Sequence, residues 1–289
     1  MTVEVQLCQK PIFVIGAPRS GTTVLAWALA QHSGLWTSGE SYVLWELFGG
    51  ERGKRGLDLI FQTAEVLAGG SWLTAQNVTR PELLAALGLG VNALFTSRSQ
   101  PRRWIDHTPV QSLMVETLGR MFPDALFLHA LRDGRKVVHS MINFLDALEP
   151  DVRANFEKAG WKIPWLDFTE ACRTWRQYVE SVQTFETNHP GRCLTVPHGR
   201  LVGETRECFR AIYEFLGEPA EDAPVEFVQT QRLHSSFQPD REAAPAQEKR
   251  PAAWDGWSHG QRTIFTREAG PAMIRLGMAT AEQLQPTAA

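Results

Sequence analysis

The clearest pattern in the chain is a short, continuous apolar run at residues 12–15 that ends at Gly16. An apolar run without alternation is typical of a strand that is covered on both faces, as in a parallel sheet. Runs of the same kind recur and predict further strands at residues 104–105, 125–131 and 192–196.

Segments with helical spacing of apolar residues separate these runs. They predict helices at about residues 22–31, 110–121, 136–145, 168–187, 205–216 and 259–276. The alternation of strands and helices predicts an α/β fold, a three-layer parallel sheet flanked by helices with right-handed crossovers. Residues 149–165 and 238–251 interrupt the alternation with prolines, and we expect mobile or substrate-lining inserts there.

Size and composition narrow the possibilities. A chain of 289 residues with 43% hydrophobic content suits one large domain, expected over residues 1–289. The formal net charge of -3 provides no long-range attraction to nucleic acid or anionic lipid, so neither is expected as a partner. No apolar run approaches the roughly 20 residues of a membrane span, and no charged and apolar leader precedes residue 12, which predicts a cytoplasmic protein.

The four cysteines lie far apart, with neither a C-x-x-C pair nor histidines at zinc-binding spacing. We therefore expect reduced thiols and no metal site. Because the net charge is slightly negative, any anionic ligand must be held by local positive charge from a few side chains.

The loop after the first strand has the clearest chemical pattern. Gly16 and Gly21 are separated by four residues, directly between a predicted strand and a predicted helix. Such a loop forms a phosphate cradle, because its N–H groups converge and the helix N-terminus adds partial positive charge. The spacing is that of a Walker A loop, but Thr22 replaces the lysine and Arg19 supplies the positive charge. An arginine there suits a bidentate grip on a sulfate or phosphate without a metal.

A second anion-binding element follows the predicted strand at 125–131. Arg132 lies at the strand end and Ser140 lies eight residues later, inside the following helix, so the two can converge on one anion. Asp133 could instead be a Walker B aspartate. A small-molecule kinase and a non-catalytic nucleotide-binding module therefore remain alternatives, although the missing loop lysine weighs against the kinase.

Both elements resemble those of the sulfotransferases that use 3′-phosphoadenosine 5′-phosphosulfate (PAPS), and the resemblance runs from about Pro11 to about Gly277. The segment around Arg132 is especially similar to the tyrosylprotein sulfotransferases. The resemblance implies PAPS as donor and 3′-phosphoadenosine 5′-phosphate (PAP) as product, with Arg132 and Ser140 on the 3′-phosphate. It also implies that the sulfuryl-bearing phosphate is held by Pro18, Arg19, Ser20, Gly21, Thr22 and Thr23.

Sulfuryl transfer resembles in-line phosphoryl transfer and requires removal of the acceptor's proton. Glu40, just beyond the first helix, resembles the catalytic base of tyrosylprotein and several bacterial sulfotransferases. His107 precedes Thr108-Pro109, where much of the family has a lysine that screens the leaving oxygen. We favour Glu40 as base, His107 as charge stabiliser and Arg19 as a catalytic cation. His107 as base stays open, since histidine titrates near neutral pH.

The carboxyl-terminal third departs from the family. Residues 198–201 read His-Gly-Arg-Leu where relatives have a Tyr-Glu-Asp-Leu-like turn. Lys249-Arg250 resembles the segment that closes over the donor, which implies a 3′-phosphate role for Arg250. Trp161 and Trp165 are candidates to line an apolar acceptor pocket. The absence of a leader and the mild acidity favour a small-molecule hydroxyl as the acceptor over acidic secreted peptides.

Overall fold

A five-stranded sheet, parallel throughout, forms the centre of the molecule, with strand order β2-β3-β1-β4-β5. The computed structural model describes residues 6–50, 54, 56–61, 72–148, 150–159, 163–230 and 254–286. The strands are β1 Ile12–Ile15, β2 Leu35–Thr37, β3 Arg103–Asp106, β4 Leu126–Leu131 and β5 Cys193–Pro197.

Helices fill the connections between the strands and cover both faces of the sheet. They are α1 Thr22–Leu29, α2 Trp72–Ala75, α3 Arg80–Ser99, α4 Val115–Met121, α5 Gly134–Ile142, α6 Pro150–Ala159, α7 Phe168–Asn188, α8 His198–Gly203, α9 Thr205–Leu216, α10 Ala223–Thr230, α11 His259–Glu268 and α12 Gly270–Arg275. Residues 56–61 are also helical. Short 3₁₀ turns lie at Pro109–Met114, Leu145–Ala147, Pro164–Leu166 and Glu282–Leu284, and a π turn at Trp45–Gly49.

Alternate residues of β1 pack into different layers, which confirms the predicted three-layer α/β fold. Ile12 and Val14 belong to a buried cluster that includes Leu25 of α1 and Phe209 of α9. Phe13 and Ile15 face a second cluster on the opposite side of the sheet. The Phe13 ring meets the Trp104 ring edge-on at 5.5 Å between centroids, so β1 is fixed from both faces.

The structure corrects some predicted boundaries. Residues 150–159, within the expected irregular insert at 149–165, form helix α6, whose first residue is proline, the residue best tolerated at a helix start. The single helix predicted over 259–276 is divided into α11 and α12 at Ala269, next to Gly270 and Pro271. Neither β2 nor α3 was predicted. The insert at 238–251 lies outside the described residues.

The strand order determines where a site can form. β1 lies between β3 and β4, with Phe13 opposite Asp106 and Ile15 opposite His129. The loops at the carboxyl ends of these three strands are therefore neighbours. In open α/β sheets ligands bind at this edge, where the strand order reverses.

Candidate active site

The loop after β1 is anchored at its first residue by Ser112. The Ser112 hydroxyl accepts a hydrogen bond from the Gly16 N–H at 2.8 Å and lies 3.1 Å from the Gly16 carbonyl oxygen. Gly16 has a φ of 153°, and a Cβ there would lie 2.5 Å from the Ala130 carbonyl oxygen. Glycine is therefore required for the close approach of the loop to β4.

Two residues in the second half of the loop have a left-handed backbone conformation. Arg19 has a φ of 70° and Gly21 has a φ of 102°. Gly21 is the N-cap of α1, and a Cβ there would lie 2.9 Å from Cδ2 of His198. Pro18 and Thr23 are half-buried, while Ser20 and Thr22 are buried, the last at the first position of α1. The predicted glycine cradle thus leads directly into a helix N-terminus.

Arg19 connects this loop to the second predicted element. Its Nε donates to the Ser140 hydroxyl at 3.1 Å, and Nη1 of Arg132 donates to the Arg19 carbonyl oxygen at 3.1 Å. The Arg19 guanidinium also lies 5.3 Å from the centre of the Phe144 ring. Sequence reasoning predicts two separate anion sites, and the structure places them in direct contact.

Two partly buried cations make this region electropositive. Burial lowers the pKa of Arg19, and the neighbouring Arg132 charge lowers it further. Burial likewise lowers the pKa of Arg132, whose Nε atom is buried without a hydrogen-bond partner among the described residues. Arginine side chains in proteins stay protonated at neutral pH, so both groups are cations. An anion here would relieve the repulsion between the two charges and give Arg132 Nε an acceptor.

Asp133, the possible Walker B aspartate, is committed to other contacts. Its carboxylate caps α5 by accepting from the Arg135 N–H at 2.8 Å and forms an ion pair with the Arg135 side chain at 2.6 Å. These contacts weigh against a magnesium role. Among the described residues, no group of three or more His, Cys, Asp or Glu side chains is arranged to hold a metal ion.

Glu40 lies in the loop after β2, on the β3 side of the sheet edge. Its Oε2 atom accepts a hydrogen bond from the Tyr42 hydroxyl at 2.7 Å. Burial raises the pKa of the Glu40 carboxyl, and the Asp106 charge adds to this, while the Tyr42 hydrogen bond and the Arg19 charge oppose it. A carboxylate with a raised pKa is a better proton acceptor than an ordinary glutamate.

Asp106, the last residue of β3, and the candidate His107 that follows it have different surroundings. The Asp106 carboxylate accepts from the Ser41 hydroxyl at 2.5 Å, from the Thr108 N–H and hydroxyl at 3.0 and 2.7 Å, and from Gln111 at 3.1 Å. It holds the Glu40 loop against the turn that follows β3. His107 is 2% exposed, with Nδ1 3.2 Å from the Thr37 hydroxyl. Burial lowers the pKa of His107, so its imidazole is neutral at pH 7.

The remaining predicted residues are only partly placed. Arg250 and Trp161 lie outside the described residues. The Trp165 ring packs edge-on against Phe144 at 5.1 Å between centroids, so it lies near Arg19 through that ring. A cavity of about 280 Å³ beside the Glu40 loop is lined instead by Trp36, Phe95 and Ile105, together with Ser38, Gly39, Ser41, Leu94, Arg98 and Asp106.

Sequence reasoning missed three contributors to the site. Ser112 anchors Gly16, Tyr42 contacts Glu40, and His198 packs over Gly21. The spacing of Tyr42, two residues after Glu40, was the one available signal. Ser112 and His198 reach the loop through the tertiary fold, which no local pattern reports.

Two further properties of the described chain bear on its class. No helix among the described ranges is both long and apolar enough to cross a membrane. Cys172, Cys193 and Cys208 are buried and Cys8 is half-buried, all as free thiols. Burial raises the pKa of the Cys172 thiol to about 12, so this group is protonated at neutral pH.

A parallel sheet with a glycine-containing loop after its central strand and an arginine after the neighbouring strand is typical of the P-loop-like fold. Residues 11–222 match the family described as "Sulfotransferase family". The chain belongs to the sulfotransferase family, which confirms the resemblance found in its motifs.

Curated relatives agree with this assignment. The chain is 28% identical over 221 residues to protein-tyrosine sulfotransferase 1 of Danio rerio, covering 73% of this chain and 54% of that protein. It is 27% identical over 219 residues to protein-tyrosine sulfotransferase 2 of Gallus gallus, covering 71% and 50%. The chain thus spans about half the length of these curated relatives.

Among solved structures, the sulfotransferase domain of the Synechococcus PCC 7002 olefin synthase aligns with a TM-score of 0.51 at 19% identity, covering 94% of this chain and 98% of that one. A sulfotransferase from Alicyclobacillus acidocaldarius also aligns at 0.51, with 14% identity and coverage of 96% and 100%. At these identities the likeness shows a shared fold.

Proposed function

We propose that residues 1–289 form a single sulfotransferase domain that moves the sulfuryl group of PAPS to an acceptor hydroxyl and releases PAP. The observation that carries this proposal is the convergence of Arg19, Ser140 and Arg132 at the carboxyl ends of β1 and β4. The cations Arg19 and Arg132 precede the helices α1 and α5, and the Ser140 hydroxyl lies in the last turn of α5. Two cations beside a hydroxyl suit the anionic groups of a nucleotide.

The proposed reaction assigns a role to each side of the site. The acceptor oxygen attacks sulfur while the bond from sulfur to the bridging phosphate oxygen breaks. Arg19 and the N–H groups of the loop stabilise the charge that develops on the leaving phosphate. Glu40 takes the acceptor's proton, because its raised pKa and its position near Arg19 suit a general base. His107 is buried and neutral, which suits a hydrogen-bonding role near the leaving oxygen.

The acceptor class has two candidates. The sequence favours a small-molecule hydroxyl, whereas the relatives named as protein-tyrosine sulfotransferases favour a tyrosine of a protein. The phenol of Tyr42 on Glu40 shows that an aromatic hydroxyl fits beside this carboxylate. We propose a phenolic hydroxyl, which both classes can present, as the first acceptor to test.

Thermal unfolding with nucleotides tests the donor assignment. We expect PAP to raise the melting temperature of the chain and ATP with magnesium to leave it unchanged, because only a ligand bound to the folded state stabilises it. The reverse result would support the kinase. Arg206→Gln, at an exposed surface ion pair, is the matched control, and its response to PAP should equal that of the unmodified chain.

Transfer itself is tested with PAPS and a library of phenols, alcohols, sugars and tyrosine peptides, with mass spectrometry of the products. Sulfated product with release of PAP is the expected result. PAP binding without transfer to any acceptor would instead support a non-catalytic nucleotide-binding module.

A further inference from the structure

Tyr42 occupies an unusual position relative to the proposed base. Its phenol oxygen lies 2.7 Å from Oε2 of Glu40 and donates its proton into that hydrogen bond. The side chain is 46% exposed, so it lies at the open face of the site. Among the described residues, Tyr42 is the residue whose side-chain hydroxyl donates a hydrogen bond to Glu40.

The backbone around Tyr42 holds the phenol in this place. Tyr42 has a φ of 51°, a left-handed conformation that is unfavourable for a non-glycine residue. The preceding residue, Ser41, is tied through its N–H to the Thr108 hydroxyl at 2.9 Å and through its own hydroxyl to Asp106. The Tyr42 carbonyl accepts from the Glu46 N–H at 3.0 Å. Contacts on both sides therefore maintain a strained residue whose side chain meets Glu40.

An acceptor in this enzyme must place a hydroxyl against its base and within reach of the sulfuryl group. Tyr42 already meets the first condition. Glu40 lies close enough to Arg19 for that charge to act on it, so the phenol is near the loop assigned to the phosphosulfate. A group held in place by the fold reacts as if present at very high concentration.

We propose that Tyr42 is a self-sulfation site of this chain, an inference that rests on the proposed function. In the reaction the Tyr42 phenol oxygen forms a bond to the sulfur of PAPS. The bond between sulfur and the bridging phosphate oxygen breaks, and its electron pair leaves with PAP. The phenol proton passes to the Glu40 carboxylate and from there to solvent. The product is tyrosine O-sulfate at residue 42.

The protonation states agree with this order of events. Burial and the Glu40 charge raise the pKa of Tyr42, so the phenol keeps its proton until the new bond forms. The chain has three tyrosines, so the site can be mapped without ambiguity. Tyr178 is buried near Glu40, while Tyr213 donates to the Glu221 carbonyl oxygen at 3.1 Å, away from the site.

The test incubates the full chain with PAPS in the absence of any acceptor, followed by intact-mass and peptide mass spectrometry. We expect a mass gain of one SO₃ group per chain, mapped to Tyr42. The fraction of chains labelled per unit time should be independent of protein concentration. Tyr42→Phe should reduce the labelling to background. Tyr213→Phe is the matched control and should label like the unmodified chain.

Other results would overturn the inference. Labelling at Tyr178 or Tyr213, undiminished labelling of Tyr42→Phe, or a rate that rises with protein concentration would each exclude transfer within one chain to Tyr42. Failure of this inference differs from failure of the proposed function. A chain that sulfates added phenols but never Tyr42 refutes only self-sulfation, whereas a chain that neither binds PAP nor transfers to any acceptor refutes both.

Discussion

The proposed donor side of this sheet edge, around Arg19 and Arg132, and the proposed acceptor side, around Glu40, are built in different ways. On the donor side, contacts between residues 121 and 113 positions apart join Arg19 to Ser140 and to Arg132. On the acceptor side, Glu40 takes its hydrogen bond from Tyr42, two residues away. The donor side therefore depends on the packing of β1 against β4, and the acceptor side depends on a local loop.

The electrostatics of the two sides also differ. Burial makes the arginines of the donor side less stable as cations, which favours an incoming anion. Burial makes Glu40 less stable as an anion, which favours an incoming proton. The same physical cause, loss of hydration, thus prepares one side to bind and the other to react. Variants of the two sides should separate binding from turnover.

The largest effect is expected from Glu40→Gln, which keeps the shape but removes the proton acceptor. General base catalysis contributes about 10²–10⁴-fold, so we expect turnover to fall by that factor. PAP affinity, measured by calorimetry, should change little. His107→Gln is the comparison variant. If His107→Gln loses more turnover than Glu40→Gln while PAP binding stays intact, His107 is the base. The assignment of the base to the Glu40 loop is then wrong.

A smaller effect, on binding, is expected from Arg132→Gln. Removing a charged hydrogen bond costs about 1.5–3 kcal/mol, which corresponds to a loss of PAP affinity of roughly 10–150-fold. The measurement is calorimetric titration with PAP, with the surface variant Arg206→Gln as control. PAP affinity equal to that of the control would show that Arg132 does not contact the nucleotide.

The smallest effect is expected from pH. If Glu40 is the base, as proposed, it works as a carboxylate, and its pKa is raised; kcat/KM should then fall about tenfold per pH unit below that pKa, at a pH above the ordinary glutamate range. Ionised Glu40 also reduces folding stability at neutral pH, and this cost disappears as the pH falls through the folded pKa. Glu40→Gln should therefore raise the melting temperature at neutral pH. If the fall of kcat/KM at low pH is unchanged in Glu40→Gln, that fall is caused by a group other than Glu40.

The fold around the proposed donor side was largely predictable from the sequence. The loop from Gly16 to Thr23 and the arginine after β4 lie in continuous segments whose strand, turn and helix patterns are strong. The helix Thr205–Leu216 was predicted at its observed bounds, since its apolar residues keep a clear helical period and Gly217 ends it.

The acceptor side was less predictable, for physical reasons. β2 has only the three residues Leu35–Thr37, too few for a period to be recognised. In α3, apolar residues are spread around the helix, so no single face stands out from the sequence. The left-handed Tyr42 follows Ser41, whose contacts are with Thr108 and Asp106, far along the chain. These contacts exist only in the folded molecule.

The Ser112 hydroxyl accepts from the Gly16 N–H at 2.8 Å and lies 2.7 Å from the Pro109 carbonyl oxygen, and the Ser112 carbonyl accepts from Ser181 of α7 at 2.7 Å. The cradle is therefore preorganised, because its first peptide group is already immobilised by the scaffold. The conformational entropy of that group is lost during folding rather than during each catalytic cycle. Product release should accordingly leave the entrance of the loop in place, so that successive donors meet the same rigid receptor.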